Sequence, residues 1–346
     1  MIACVIAAIP LQAHPAPFSY LDVRFVPAGV TGTLVIHDFD AAHELELSAP
    51  DRLKNPALVE QRSSDLVQRL TPRLQFVADG RRLTWTVERV RPLPERDALE
   101  FTWSAAAPSP IGKLTIATEL FPYDPQHQTF VSVYEADALT RQEVLSRGRT
   151  TVDYYSGTRQ GLFAVFTTFT LSGIHHIAIG PDHILFIVGL LLLGGSLRRL
   201  LLIVTAFTLG HSVTLALATL QIVSPPARLI EPAIALSIVY VGLDNLLAGA
   251  AGRDVRALVA LMFGLVHGFG FANVLREIGL PGRALGVSLF SFNLGVEIGQ
   301  AAIVIVVATL LAAVRRRNAP LARRIVTVGS VVVMLAGAFW FVERLM

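Results

Sequence analysis

The chain of 346 residues is 53% hydrophobic and only 16% charged, with a mean hydropathy of +0.57. Soluble globular chains carry about 25% charged residues, so this deficit excludes an ordinary soluble enzyme. Charge is also uneven: residues 1–157 sum to −4 and residues 158–346 to +7, with the later arginines set in small clusters between long uncharged runs. A nucleic-acid binder gathers its basic residues on one folded face, so no nucleic-acid partner is expected. Arginines between apolar segments are instead how membrane topology is written.

Met1–Ala13 is apolar and ends in Leu-Gln-Ala ahead of a polar, strand-like stretch, which predicts a secretory signal cleaved after Ala13. The alternative is an uncleaved N-terminal anchor, and either places the following residues outside the cytoplasm. Cys4, the single cysteine, lies in this segment, which excludes a disulfide framework and a thiolate metal site elsewhere. Cleavage would leave His14 with a free amine and an imidazole, a pair that chelates divalent cations.

Residues 14–155 read as an extracytoplasmic, mainly β domain of sandwich type. Alternating or β-branched runs occur at Leu21–Val26, Gly32–His37, Leu74–Val77, Leu83–Val87, Leu99–Trp103, Leu114–Leu120 and Thr129–Tyr134. Asp79-Gly80 is a hairpin signal between two of them. Pro56–Leu70 is the one predicted helix, and the polar stretch Arg141–Thr158 is the predicted linker. His37, His43 and His127 are expected in solvent, with Asp124-Pro-Gln-His127 a turn. A periplasmic partner for this domain is one possible use of it.

Residues 156–346 are predicted to form a helical membrane domain in the lipid bilayer. Apolar stretches near spanning length lie at about 182–197, 200–220, 230–250, 256–275, 285–313 and 325–342, with a further one at 161–179. Leaving 161–179 out of the crossing count puts nine arginines in the inner loops, from Arg198 to Arg324, against four outside. Crossing there would invert that bias. The expectation is therefore about six transmembrane helices in the bacterial inner membrane, an interfacial or re-entrant helix at 161–179, and both termini outside.

Ionisable side chains at membrane depth are expensive and mark function by default. Five of the nine histidines fall here: His175, His176, His183, His211 and His267. Asp182, Asp244 and Glu297 are the acids at depth, and Asn293 and Gln300 share the Glu297 helix face at i, i+3 and i+4 spacing. Gly180-Pro181 separates His176 from Asp182-His183, with Pro181 in the first helical turn and Asp182 favoured by the helix dipole. Imidazole nitrogen with carboxylate oxygen and no sulfur suits nickel, cobalt, zinc or Cu(II). Capping and interhelical hydrogen bonds are the alternative use of these groups. His211 and His267 both lie in Phe-x-Leu-x-His, a hint of an internal repeat.

His176-x-x-x-Gly180-x-Asp182-His183 resembles the signature of the HupE/UreJ family, membrane proteins associated with nickel supply. Phe207–His211-Ser212, Phe263–Gly270 and Phe292-Asn293-Leu-Gly-Val-Glu297-Ile-Gly-Gln300 resemble the branch that carries an N-terminal extracellular domain. There is a looser echo of the nickel/cobalt permeases, in which the first His and the Asp-His pair stand one residue closer. The resemblance implies a secondary metal permease with His176, Asp182 and His183 as metal-recognition positions. The β domain departs from the compact nickel-linked members.

Three readings follow. In the first, the chain is not an enzyme but a permease for nickel or cobalt: His176, Asp182 and His183 capture the ion, and His211, His267 and Glu297 pass it at midplane. His175, Ser212, Asn293, Gln300 and Asp244 are supporting. No GxxxxGK[ST] sequence is present, so transport would draw on membrane potential, protons or a separate subunit. In the second, histidines, Asp182 and Ser212 form a membrane-embedded zinc hydrolase acting on lipid. Counting depth along each span puts His211 and His267 about 15 Å from Asp182 and His183, an elongated lane that favours transport, whereas convergence on one point favours the enzyme. The third is a metal receptor or delivery protein.

Overall fold

The computed structural model describes residues 18–107, 110–247, 254–270 and 284–346. The expected signal segment, His14, Arg253, Arg276, Arg283 and the end of the expected 256–275 span lie outside them. The chain divides at Gly161 into two compact units.

The N-terminal unit holds ten strands in two sheets. Strands β1 (Phe18–Val26), β2 (Gly29–His37), β5 (Trp85–Leu93), β6 (Ala98–Ala106), β8 (Gln128–Glu135) and β9 (Ala138–Leu145) form the larger, ordered β5-β6-β2-β1-β8-β9. Strands β3 (Leu74–Ala78), β4 (Arg81–Leu83), β7 (Lys113–Thr118) and β10 (Thr151–Tyr155) form the smaller, ordered β10-β7-β3-β4. Only β1 and β8 run parallel; every other pairing among the described residues is antiparallel. Alternation along each strand turns one face into a shared core, where Phe76 of the small sheet stacks at 4.4 Å on the fully buried Trp103 of the large one. The Asp79-Gly80 turn joins β3 to β4 with both residues at positive φ, +48° and +81°, as a two-residue hairpin turn demands.

Three expectations change here. The stretch taken as a linker contributes β9 and β10, because their polar residues line exposed sheet faces while Leu145, Val152 and Tyr154 point into the core. A second helix, α1 (Asp38–Glu44), precedes the expected one, α2 (Pro56–Leu70), which has the predicted bounds. His127 is buried, not solvated. Burial pushes its pKa down to about 4, so the ring is neutral at pH 7.

The C-terminal unit is helical: α3 (Arg159–Ile179), α4 (Pro181–Leu192), α5 (Leu197–Thr219), α6 (Ala227–Leu247), α7 (Arg256–Gly270), α8 (Leu285–Arg317) and α9 (Ala319–Glu343). Five of these, α3, α5, α6, α8 and α9, are long and apolar enough to cross a membrane. Length and apolarity thus qualify 159–179 and do not qualify 181–192, the reverse of the sequence assignment. Loop charge could not reveal this, because the apolar run after Asp182 is cut short by backbone geometry. Gly194 and Gly195, at φ +72° and +149°, turn the chain just past α4, leaving it about 18 Å long. Two arginines satisfy carbonyls at that helix end: Arg256 donates to Leu190 O at 2.9 Å and Arg315 to Leu192 O at 2.8 Å.

Glycine seams pack this unit. Between α5 and α7, a Cβ at Gly210, Gly264 or Gly268 would collide with the Leu261, Phe207 or His211 carbonyl oxygen respectively. Gly173 and Gly295 do the same between α3 and α8, and between α6 and α9 a Cβ at Gly242 or Gly337 would press on the backbone nitrogen of Met334 or Val239. Lipid supplies little drive for helix association, so this close backbone approach carries the packing. Gly264→Val is expected to cost about 1–3 kcal/mol by overpacking. Gly286→Ala, where a Cβ meets nothing within 4 Å, should be neutral or stabilising. Thermal unfolding of the two variants in detergent checks the contrast.

Candidate metal centre

The break between α3 and α4 builds the centre. Gly180 is extended (φ −78°, ψ 102°) and its N–H donates to His176 O at 3.0 Å, so α3 ends and Pro181 opens α4 within two residues. Across this break the His176 and His183 rings meet edge to face, centroids 4.6 Å apart. The α5–α7 seam brings the other two rings: His183 lies 6.4 Å from His211 and 5.2 Å from His267, and His176 lies 6.3 Å from His211. One nitrogen each from His176, His183 and His211 lie within 4.8 Å of one another. Three nitrogens at about 2.1 Å from one ion stand about 3.4–3.6 Å apart, so at most about 1.4 Å of closure would seat an ion among them.

The hydrogen bonds leave lone pairs facing inward. His211 Nδ1 pairs with Asn293 Oδ1 at 3.3 Å, which fixes the tautomer with a bare Nε2. His267 Nε2 meets Ser237 Oγ at 2.9 Å. His183 Nε2, His211 Nε2 and His267 Nδ1 are buried without a hydrogen-bond partner. Leaving such groups unmatched costs about 1–3 kcal/mol each, a cost that a bound cation removes. Neutral imidazoles without sulfur fit nickel, cobalt, zinc or Cu(II).

The carboxylates lie outside this histidine group. Asp182 Oδ2 accepts from Arg344 at 2.8 Å, and Arg344 also donates to Glu231 O at 3.2 Å. Glu297 accepts from Thr205 Oγ1. Thr208 donates to Gln300 Oε1 at 2.9 Å. Thr205, Thr208 and His211 on α5 therefore face Glu297, Gln300 and Asn293 on α8, a polar ladder about 9 Å long. Glu297 Oε2 and Gln300 Nε2 on it are buried and unpartnered. His175 is exposed, Asp244 is half-buried on α6, and Ser212 donates back to Thr208 O at 2.7 Å in its own helix.

The 15 Å separation expected between His183 and the pair His211 and His267 does not hold. Counting residues into each span assumes that all spans start at one depth. The short α4 begins after a break and brings His183 level with the other two. Thr205, Thr208, Ser237 and Arg344 escaped the sequence reading. The i, i+3, i+6 spacing of Thr205, Thr208 and His211 was a usable signal for two of them; Ser237 and Arg344 offered none.

The apolar helices define a multi-pass membrane protein, and His176, His183 and His211 form a group that could hold a metal ion. Residues 155–344, more than half of the chain, match the HupE/UreJ protein family, and the chain belongs to that family, which is associated with nickel and cobalt transport. The match spans the helical unit and leaves the β sandwich outside. No curated protein matches the chain.

Equilibrium dialysis against Ni²⁺ or Co²⁺ should rank the residues. His183→Ala and His211→Ala are each expected to remove the equivalent held by the histidine cluster. Asn293→Ala, which frees the His211 ring, should weaken its binding about 10–100-fold. His175→Ala should leave it unchanged.

Proposed function

We propose that the chain is a permease for a divalent transition metal, nickel or cobalt, in a bacterial inner membrane with the β unit on the extracytoplasmic side. The observation that carries this reading is the continuity between the imidazole cluster and the α5–α8 ladder. Neutral imidazoles bind the cation without paying to bury a counter-charge. From there Asn293, the Glu297 carboxylate and Gln300, in that order along α8, offer oxygen ligands at one helix interface. Oxygen sites hold nickel and cobalt less tightly than imidazole does. Passage from nitrogen to oxygen thus gives an ion a way to leave. Conduction requires binding that is tight enough to enter and weak enough to exit.

One observation favours the zinc-hydrolase reading: the histidines meet around one point, as a catalytic zinc requires. Such a site also needs a base beside its water, and both candidate carboxylates are held elsewhere, Asp182 by Arg344 and Glu297 by Thr205. The permease reading accounts for the ladder as well as the cluster.

Flux into proteoliposomes tests it, with a panel of Ni²⁺, Co²⁺, Zn²⁺, Cu²⁺ and Mn²⁺. Saturable flux of nickel or cobalt is expected, lost in His183→Ala. Glu297→Gln should keep binding and lower flux, since it alters the path and leaves the cluster intact. Absence of flux in the wild type, with one tight zinc per chain and release of fatty acid from the vesicles, would overturn the permease in favour of the hydrolase.

A further inference from the structure

The N-terminal unit buries a second set of ligand-type groups, remote in sequence from the histidines of the helical unit. His127 precedes β8 at the end of the turn that starts at Asp124: His127 N–H donates to Asp124 O at 3.2 Å and Gln126 N–H to Asp124 Oδ1 at 2.9 Å. Phe121 packs edge-on against the ring at 4.7 Å. On one side, His127 Nε2 meets Ser19 Oγ at 3.1 Å, and Ser19 Oγ meets Thr129 Oγ1 at 2.9 Å. The tautomer that donates Nε2–H to Ser19 leaves Nδ1 as a lone pair.

That Nδ1 is buried and has no hydrogen-bond partner, in a residue 7% exposed. It points at Asp40 Oδ2, 4.0 Å away. Asp40, on α1, is 4% exposed, and its other oxygen accepts from Tyr123 OH at 2.7 Å. No Lys or Arg among the described residues pairs with it. A buried carboxylate lacking a cation is costly. The 4.0 Å gap is too wide for a direct hydrogen bond. Two ligands of one tetrahedral ion stand about 3.4 Å apart, so about 0.6 Å of closure would seat an ion between them. Beside the ring lies a surface cleft whose lining includes His127, Asp124, Glu119 and Arg147.

We propose that the N-terminal unit binds one divalent transition-metal ion between His127 Nδ1 and Asp40 Oδ2. The donor set is one imidazole and one carboxylate, distinct from the histidine-rich set in the helices. Ser19 and Thr129 act as positioning residues that hold the ring in the ligating tautomer. The site stands independently of transport, since nothing in its construction depends on what the helical unit does.

The test uses the full chain in detergent, stripped of metal and titrated with Ni²⁺, Co²⁺ and Zn²⁺ under equilibrium dialysis. His127→Gln and Asp40→Asn are each expected to remove one equivalent, still present in His183→Ala. The two losses should add in the double variant His127→Gln/His183→Ala. Equal stoichiometry in wild type, His127→Gln and Asp40→Asn would overturn the proposal, whatever the flux assay returns. Should those variants misfold, Cu²⁺ electron paramagnetic resonance on His183→Ala/His211→Ala decides the matter in the unaltered N-terminal unit. Coupling to a single imidazole nitrogen is expected there, and a spectrum with no nitrogen coupling overturns the site.

Discussion

The helical unit depends on backbones approaching more closely than side chains permit. Where α5 meets α7, Phe207 O and His211 O occupy the space that a Cβ on Gly264 or Gly268 would need. His211 and His267 are adjacent residues of that same contact, so the glycines that join the helices also place the rings. The other requirement is the Gly180-Pro181 break, across which His176 and His183 stand together. Seam and break are both backbone features. The imidazoles meet because the main chain brings them there, with few direct hydrogen bonds tying one ring to another.

This construction accounts for the unpartnered atoms. Buried polar groups are normally matched, and a run of unmatched nitrogens within one cluster marks a place where something else completes the bonding. The outer bonds to Asn293 and Ser237 hold the His211 and His267 rings by one nitrogen and leave the other free. The N-terminal unit repeats the pattern with different chemistry. Ser19 secures one side of His127, and the other side faces a carboxylate across a gap too wide to bond directly.

Much of this could be read from the chain. The β alternation, the Asp79-Gly80 turn, the bounds of α2 and the location of the apolar stretches all express local rules of period and turn chemistry. The choice of His176, His183, His211 and His267 followed from the expense of ionisable groups among apolar neighbours. Depth did not follow. Nothing in the run Ile184–Leu193 announces a helix of 12 residues until two glycines at positive φ end it. His127 was misplaced for a related reason. Asp-Pro-Gln-His has the composition of a solvated turn, and only the packing of Phe121 and of Ser19 at the start of β1 puts its last residue inside. The arginines at 256 and 315 were read as markers of sidedness. They also cap the short α4, a use that becomes visible only in three dimensions.

Asp182 shows how far a motif and a geometry can differ. The Asp-His pair is part of the pattern that the family resemblance rests on, and as adjacent residues of one first turn the two were expected to act together. Successive residues on a helix project about 100° apart, so when His183 faces the other histidines, Asp182 faces elsewhere. It finds Arg344, whose guanidinium also donates to Glu231 O and so ties the start of α4 to the ends of α6 and α9. The ion pair anchors the helix that carries His183. A carboxylate kept out of the imidazole cluster leaves that cluster neutral. In the permease reading, that neutrality keeps the hold on a dication loose enough for the ion to move on.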